Sequence, residues 1–302
     1  MNAARHRVAM LGWLFCVYLL VMNPATAQTR AIIVAGLGGE PDYEAEFQRH
    51  ANLLARRLRE VSDDVTLLLG DGVDRDAVQA TVTETIERTD ADDALVLMLI
   101  GHGSHDGERF RFNVPGPDFT ATELSVWLEP AAAKRQLVVV TGSSSGAVQA
   151  VLEQPGRTVI SATRSGGERN ATVFARYFSE ALGADAADVN KDHRITAQEA
   201  FSYTVDRVDG HYGSENEMTT EHALANGPES ATVLALLETP TTLDPIVPRE
   251  DAELLALEQA IAALRADKER YTQADYYAEL QRLLLELAVV ERHIEDAEEL
   301  RR

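Results

Sequence analysis

Two short polar segments of this 302-residue sequence carry residue types suited to acid–base and nucleophilic chemistry. The first is Gly101-His102-Gly103, and the second is Gly142-Ser143-Ser144-Ser145-Gly146. An imidazole exchanges a proton near neutral pH, and a neighbouring glycine lets a reacting carbonyl approach the backbone closely. A serine hydroxyl activated by such a base can attack a carbonyl carbon. Together the two segments predict a hydrolytic or peptide-binding site, provided that the fold brings them side by side.

Apolar runs of strand length precede both segments, at residues 94–100 and 137–140. Similar runs occur at residues 31–35, 65–69 and 157–162, and apolar residues recur at helical spacing between them. Continuous β-branched runs without alternation are typical of strands that are covered on both faces. We therefore predict an α/β fold with a mainly parallel sheet and crossover helices. Ligands bind at the carboxyl ends of such strands, which is where both polar segments fall.

The order of these segments resembles the caspase and legumain clan, especially its bacterial C13-like branch. In that branch one strand ends in His-Gly, and the next ends in a Cys-x-Ser-Gly turn. His102-Gly103 matches the first motif, and residues 143–146 match the second with serine in place of the catalytic cysteine. Residues 34–40, 161–163, 167–168 and 221–224 also look similar to that branch, so the resemblance spans residues 30–237.

The resemblance implies a caspase-like three-layer sandwich and assigns roles to residues of the two turns. His102 would be the base and Ser143 would stand at the nucleophile's position. The backbone N–H groups of Gly103 and Ser143 would stabilise an oxyanion.

Serine at position 143 is the main departure from that family. A thiol is appreciably ionised near neutral pH, whereas a hydroxyl needs a strong and well-placed base. No acidic residue stands next to His102, and Asp106 falls in a predicted hairpin turn. We therefore expect a peptidase-family domain with impaired catalysis that binds a peptide or protein. An active serine peptidase or esterase using Ser143 and His102 is the alternative.

The serine turn also satisfies the Gly-x-Ser-x-Gly pattern of a hydrolase nucleophile elbow. In that interpretation Ser144 is the nucleophile. An acid and then a histidine must follow it in the chain, and Asp206 with His211 or His222 could serve. This alternative leaves His102 without a role as a base.

Residues 188–199 have the spacing of a calcium-binding loop. Oxygen-bearing side chains occupy positions 1, 3, 5, 9 and 12, and Arg194 stands at position 7, where a backbone carbonyl is the ligand. The five side chains are those of Asp188, Asn190, Asp192, Thr196 and Glu199. His193 replaces the usual glycine at the bend, which weakens the prediction, and Thr196 with Glu199 equally fits a helix capping box. Ca²⁺ is the only cofactor that the sequence suggests. The predicted function requires no cofactor.

Residues 1–27 have the pattern of a secretory signal peptide. Arg5 and Arg7 precede an apolar stretch at residues 8–22, and Ala25-Thr26-Ala27 places small residues at a cleavage site. An uncleaved anchor is the alternative, although the stretch is short for a bilayer span. The single cysteine, Cys16, lies inside this segment, so the mature chain can form no disulfide. We expect a periplasmic or secreted protein that has no membrane attachment after cleavage.

Acidic residues outnumber basic residues by 49 to 28, and the formal net charge is −21. Removal of the signal peptide makes the charge more negative, because that segment contains basic residues and no acidic ones. Phosphate backbones and anionic lipids repel such a surface. We therefore expect no nucleic acid as a partner and no binding to anionic membranes.

The composition changes after the α/β domain, which we assign to residues 28–238. Residues 239–250 form a proline-rich linker, and residues 251–302 have apolar stripes at helical spacing. Leu257, Ile261 and Leu264 form one stripe, and Leu280, Leu284, Leu287 and Ile294 form the other. This tail is predicted to fold back as a helical hairpin or to pair as a coiled coil with another chain. A homo-oligomer or an assembly protein acting through its tail is thus a third functional alternative.

Overall fold

The computed structural model describes residues 27–70, 72–215, 218–228, 231–237 and 275–287, with residues 257, 260, 261, 264, 268 and 271. Residues 1–26 of the predicted signal peptide, the linker 239–250 and the end of the tail at 288–302 lie outside the described residues. The chain divides into two compact units, Met1–Glu238 and Thr239–Arg302.

The described part of the first unit contains eleven strands and six α-helices. The strands are β1 (Thr29–Ala35), β2 (Asp64–Leu68), β3 (Ala94–Ile100), β4 (Gly103–His105), β5 (Phe110–Phe112), β6 (Phe119–Thr120), β7 (Arg135–Val140), β8 (Arg157–Ser161), β9 (Arg194–Thr196), β10 (Leu224–Asn226) and β11 (Val233–Leu236). The helices are α1 (Pro41–Leu58), α2 (Arg75–Glu87), α3 (Ala121–Leu128), α4 (Gln149–Leu152), α5 (Phe174–Ala181) and α6 (Ala197–Glu215).

A six-stranded sheet with the order β10-β8-β7-β3-β1-β2 forms the centre of this unit. Its pairs are parallel except for β10, which is antiparallel to β8. All seven residues of β3 are buried, as the continuous apolar run predicted. The predicted α/β fold with a mainly parallel sheet is confirmed.

Successive strand residues point to opposite sides of the sheet, so the apolar strands place apolar side chains on both faces. Helices cover both of these faces. Ile33 and Met98 share one core with apolar residues of α1, α5 and α6. Ile32 and Leu97 share the other core with residues of α2, α3 and α4. Both layers are needed to exclude water from a sheet of this composition, and they give the unit its three-layer architecture.

Two small antiparallel sheets complete the unit. Strands β4, β5 and β6 pair in that order directly after His102, and β9 pairs with β11. The hairpin between β4 and β5 turns at Asp106, whose Oδ1 accepts the N–H groups of Glu108 and Arg109 at 3.0 and 2.8 Å. The predicted turn at Asp106 is therefore confirmed, and the contacts of its carboxylate are with the hairpin itself, including Arg111 Nη2 at 2.8 Å from Oδ2.

The second unit is helical over residues 275–287, and residues 257, 260, 261 and 264 are also helical. Ile261 and Leu264 pack with Tyr276 and Leu283 in one buried cluster. Of the predicted second stripe, Leu280 and Leu287 pack against this cluster, whereas Leu284 is 44% exposed and Ile294 lies outside the described residues. No helix in the described parts of the chain is both long and apolar enough to cross a membrane.

Candidate functional site

The structure brings the histidine and serine segments into direct backbone contact. Thr141 N–H donates to the Leu99 carbonyl at 3.0 Å, which continues the pairing of β7 with β3 up to the two turns. A Cβ on Gly142 would lie 2.2 Å from the Gly101 carbonyl oxygen and 2.9 Å from the Gly103 nitrogen. These separations are shorter than van der Waals contact, so a residue with a side chain at position 142 would push the two strand ends apart.

The His102 ring is held by aromatic side chains and by backbone. Its centroid lies 4.7 Å from that of Tyr43 and 4.9 Å from that of Phe47, both edge-on. The backbone of Gly38 favours the protonated form of the ring. Because the Gly38 N–H already donates to Glu44 Oε2 at 2.8 Å, the Gly38 carbonyl is the group that acts on the imidazole. The backbone thus acts on His102 where the sequence offered no acidic residue next to it.

Burial lowers the pKa of His102 below its ordinary value, against the opposing effects of the Gly38 hydrogen bond and of Glu40 and Glu46. The imidazole is consequently neutral at pH 7, the form that accepts a proton. A cavity of about 20 Å³ lies beside the ring and is also lined by Thr141 and Thr172. This volume holds about one water molecule, so a peptide side chain does not fit into it.

The three serines of the second turn are all buried, with exposures of 6% for Ser143, 1% for Ser144 and 0% for Ser145. Ser144 has φ of 57° and ψ of 9°, a left-handed conformation that is uncommon outside glycine. Its Oγ has no hydrogen-bond partner among the described residues. Ser145 Oγ instead lies 3.3 Å from Thr163 Oγ1 and accepts Thr163 N–H at 3.2 Å. Ser145 is thus structural, whereas Ser143 and Ser144 remain candidates for chemistry.

A glutamate–histidine pair that the motifs did not predict adjoins this turn. His222 Nδ1 lies 2.8 Å from Glu168 Oε1, and the His222 N–H donates to Glu168 Oε2 at 3.2 Å. The Glu168 backbone carbonyl accepts the Ser144 N–H at 2.7 Å. The sequence offered Asp206 as a partner of His222, whereas in the structure Glu168 is the carboxylate that bonds His222 Nδ1. The other suggested histidine, His211, packs against the rings of Tyr177 and Tyr212.

Glu221, the residue before His222 in the chain, is buried against the start of α5. Its Oε1 accepts the Val173 N–H at 2.8 Å and lies 3.4 Å from the Tyr212 hydroxyl. Burial raises the pKa of Glu221 to about 7, although hydrogen bonds from Val173, Phe174 and Tyr212 act in the opposite direction. The residue pair 221–222 thus connects the N-terminus of α5 to the loop that contacts the serine turn.

The predicted calcium loop is closed by its own backbone N–H groups. Asp188 is 2% exposed, and its two carboxylate oxygens accept the N–H groups of Asp192 and His193 at 3.2 and 3.0 Å. Asn190 Oδ1 also accepts the Asp192 N–H at 2.9 Å. His193 adopts φ of 61°, the left-handed conformation for which the usual glycine at this position is suited. The bend therefore forms without a glycine.

The second half of the loop forms a helix start. Thr196 Oγ1 accepts the Glu199 N–H at 3.2 Å, and Glu199 Oε2 accepts the Thr196 N–H at 3.0 Å. The capping box predicted for these residues is confirmed. Asp192 Oδ1 accepts the Arg194 N–H at 2.9 Å. Across the described residues no group of three or more His, Cys, Asp or Glu side chains is arranged to hold a metal ion, and calcium binding stays a prediction.

No protein-family model and no curated protein matches the sequence. Among solved structures, the chain is similar to caspase-1 from Spodoptera frugiperda, with 10% identity and a TM-score of 0.49 over 70% of this chain and 93% of that one. It is similar to the Drosophila initiator caspase Dronc at 11% identity and a TM-score of 0.42, over 66% of this chain and 79% of that one. A protein from Geobacter sulfurreducens matches at 13% identity and a TM-score of 0.45, over 70% and 100% of the respective chains.

Proposed function

We propose that the chain is an exported, caspase-like domain of the C13 type that has impaired catalysis and binds an extended peptide or protein segment. The observation that carries the proposal is the contact of Gly142 with Gly101 and Gly103, because it joins the two polar turns in one site. The sequence motifs of the family fall on these same two turns. No metal or other cofactor is required for this function.

The chemistry of the two turns supports weak catalysis. Ser143 offers a hydroxyl, which is far less ionised than a thiol at neutral pH. Burial makes His102 a weaker base, and none of the described carboxylates hydrogen-bonds to its ring. The Gly38 backbone favours the protonated imidazole but carries no full charge to stabilise the imidazolium that proton transfer would create. We therefore expect binding of a peptide with little or no turnover.

The peptide itself would pair with β4. This strand begins one residue after His102 and is the outer strand of its sheet, with β5 on one side and no strand on the other among the described residues. Ser104 in its centre is exposed. An open strand edge recognises an extended peptide through main-chain hydrogen bonds. Such pairing would run the peptide past the histidine and serine turns, and it needs no deep pocket.

The test is fluorescence polarisation of the mature chain with a peptide library, alongside a hydrolysis assay on the same peptides. The selected peptide is compared with analogues that are N-methylated at alternate residues. We expect methylation on one set of alternate residues to abolish binding and methylation on the other to leave it intact, since an edge strand pairs with every second residue. Equal binding of all analogues would contradict strand pairing.

The Ser143→Cys variant tests whether the rest of the site can support catalysis. If position 143 is the nucleophile's position, a thiol there is expected to give peptide hydrolysis that His102→Ala removes. Ser144→Cys is the matched control, because it places a thiol one residue away on the same turn. Hydrolysis by the wild-type chain that Ser143→Ala abolishes would overturn impaired catalysis and favour a serine peptidase.

A serine hydrolase that uses Ser144 is the second candidate. It is favoured by the left-handed conformation of Ser144, by its unpartnered Oγ and by the Glu168–His222 pair that contacts the same turn. A fluorophosphonate probe distinguishes the two candidates. Labelling that persists in His102→Ala but disappears in Ser144→Ala and His222→Gln would support this hydrolase, whereas absence of labelling would exclude it.

A further inference from the structure

The first residue after the predicted cleavage site is anchored to the central sheet at both of its backbone groups. Gln28 N–H donates to Asp93 Oδ1 at 2.8 Å, and the Gln28 carbonyl accepts the Ala94 N–H at 2.8 Å. Strand β1 begins at the next residue. Ala27 and Gln28 are themselves exposed, beside a depression of about 400 Å³. The peptide bond between Ala27 and Gln28 therefore connects the predicted signal peptide to the folded domain.

Asp93 is built into this end of the sheet as a largely buried carboxylate, with 7% of its side chain exposed. Its Oδ2 accepts the Asp90 N–H at 3.0 Å and Arg30 Nε at 3.3 Å. Its Oδ1 faces the Gln28 nitrogen. Burial tends to raise the pKa of Asp93, but the hydrogen bonds from Gln28, Asp90 and Arg30 outweigh burial and lower it. The carboxylate is therefore ionised when the chain is folded.

We propose that removal of residues 1–27 converts the Gln28 amide nitrogen into an α-ammonium group that forms an ion pair with Asp93 and fixes the mature N-terminus to the sheet. A charge-assisted hydrogen bond is about twice as strong as a neutral one. Processing would therefore strengthen a contact that the precursor makes only with an amide. The inference rests on the signal-peptide prediction and is independent of the function proposed for the serine turn.

This ion pair has a chemical consequence, because an N-terminal glutamine can cyclise. The unprotonated α-nitrogen attacks its own side-chain carboxamide carbon, a C–N bond forms, and the carboxamide nitrogen leaves as ammonia with a proton from the amine. Pairing with Asp93 keeps the amine protonated, and a protonated amine has no lone pair for this attack. The mature protein should therefore cyclise slowly and keep a free glutamine at its N-terminus.

Mass spectrometry of the protein exported from its host tests the proposal. We expect a chain of residues 28–302 that loses ammonia only slowly on incubation with glutaminyl cyclase. Asp93→Asn should cyclise about tenfold faster if the ion pair raises the amine pKa by one unit. Asp92→Asn is the matched control, because this neighbouring carboxylate is 81% exposed and pairs with Lys134 instead. A different N-terminal residue, or equal rates in wild type and Asp93→Asn, would overturn the proposal.

Asp93→Asn removes a largely buried charge that accepts three hydrogen bonds, so a second measurement uses the wild-type protein. The pH dependence of α-amine labelling gives the amine pKa directly. A value above the ordinary range of about 7.7–8.0 is expected for an ion-paired terminus. A value within or below that range would contradict the ion pair.

Discussion

Glu168 joins Ser144 to His222: its backbone carbonyl accepts the Ser144 N–H at 2.7 Å, and its carboxylate lies 2.8 Å from His222 Nδ1. One residue thus connects the loop after β8 with the turn after β7 and with the segment before β10. Its Oε2 also accepts the Arg164 N–H at 2.9 Å, within its own loop. The conformation of the serine turn therefore depends on contacts from distant parts of the chain.

Glu168→Ala should destabilise the protein by about 0.5–1.5 kcal/mol, because the exposed N–H groups of Arg164 and His222 lose their acceptor. Chemical denaturation of the mature chain measures this change. Glu168→Gln keeps one acceptor oxygen and should give a smaller loss. Arg169→Ala, an exposed change in the same loop, is the control. An unchanged unfolding midpoint in Glu168→Ala would show that the connection contributes no stability.

Glu221 should make the protein less stable as the pH rises. Its folded pKa of about 7 exceeds the ordinary glutamate value, so the folded state holds a proton that the unfolded chain has lost. The stabilisation is complete below about pH 4.3 and disappears as the pH rises through 7, with a slope of up to about 1.4 kcal/mol per pH unit.

Urea denaturation between pH 4.5 and 8 checks this dependence. Because other carboxylates, such as Asp93, have lowered pKa values and act with the opposite sign, the informative quantity is the difference between wild type and Glu221→Gln. That difference should favour the variant increasingly towards pH 8. Glu129→Gln, at an exposed position, should follow the wild type. Parallel profiles for wild type and Glu221→Gln would contradict the raised pKa.

The sheet could be predicted because its signal is local. The run at β3 is apolar in all seven positions, and such a run is only stable when both faces are covered. Thr120 and Glu123 likewise mark the start of α3 through a capping box. Helix and strand boundaries depend on residues a few positions apart, so they are readable from sequence. The order of strands also placed the two polar turns at one edge.

The connections within the site could not be predicted, because they join residues that no periodicity relates. Glu168 and His222 are 54 positions apart, and the contact depends on how two loops pack. The pKa of His102 depends on the backbone of Gly38, and a sequence does not show where a backbone group will lie. The left-handed backbone of Ser144 is equally hidden, since this conformation is normally signalled by glycine or asparagine.

The C-terminal helix offers a matched pair of leucines. Leu283 is 5% exposed and packs in the cluster with Ile261 and Tyr276, whereas Leu285 is 61% exposed. Leu283→Ala should destabilise the second unit by about 2–5 kcal/mol, and Leu285→Ala should change its stability by less than about 0.5 kcal/mol. Circular dichroism of the full chain during heating measures both. A large loss in Leu285→Ala with a change in sedimentation would show that this face is covered in an assembly.

Calcium binding by residues 188–199 should raise the unfolding temperature of the mature chain in millimolar calcium relative to chelator. The ion must share the oxygens of Asp188 and Glu199 with loop N–H groups, so we expect weak affinity, roughly 10⁻⁴ to 10⁻³ M. At a hundred times the dissociation constant, the stabilisation is about 2.7 kcal/mol. Glu199→Gln tests the site, because an amide oxygen can still accept the Thr196 N–H while the charge is lost. If calcium does not change the unfolding temperature of the wild type, the loop serves only as a helix start. Equal shifts in wild type and Glu199→Gln would place the calcium on the acidic surface.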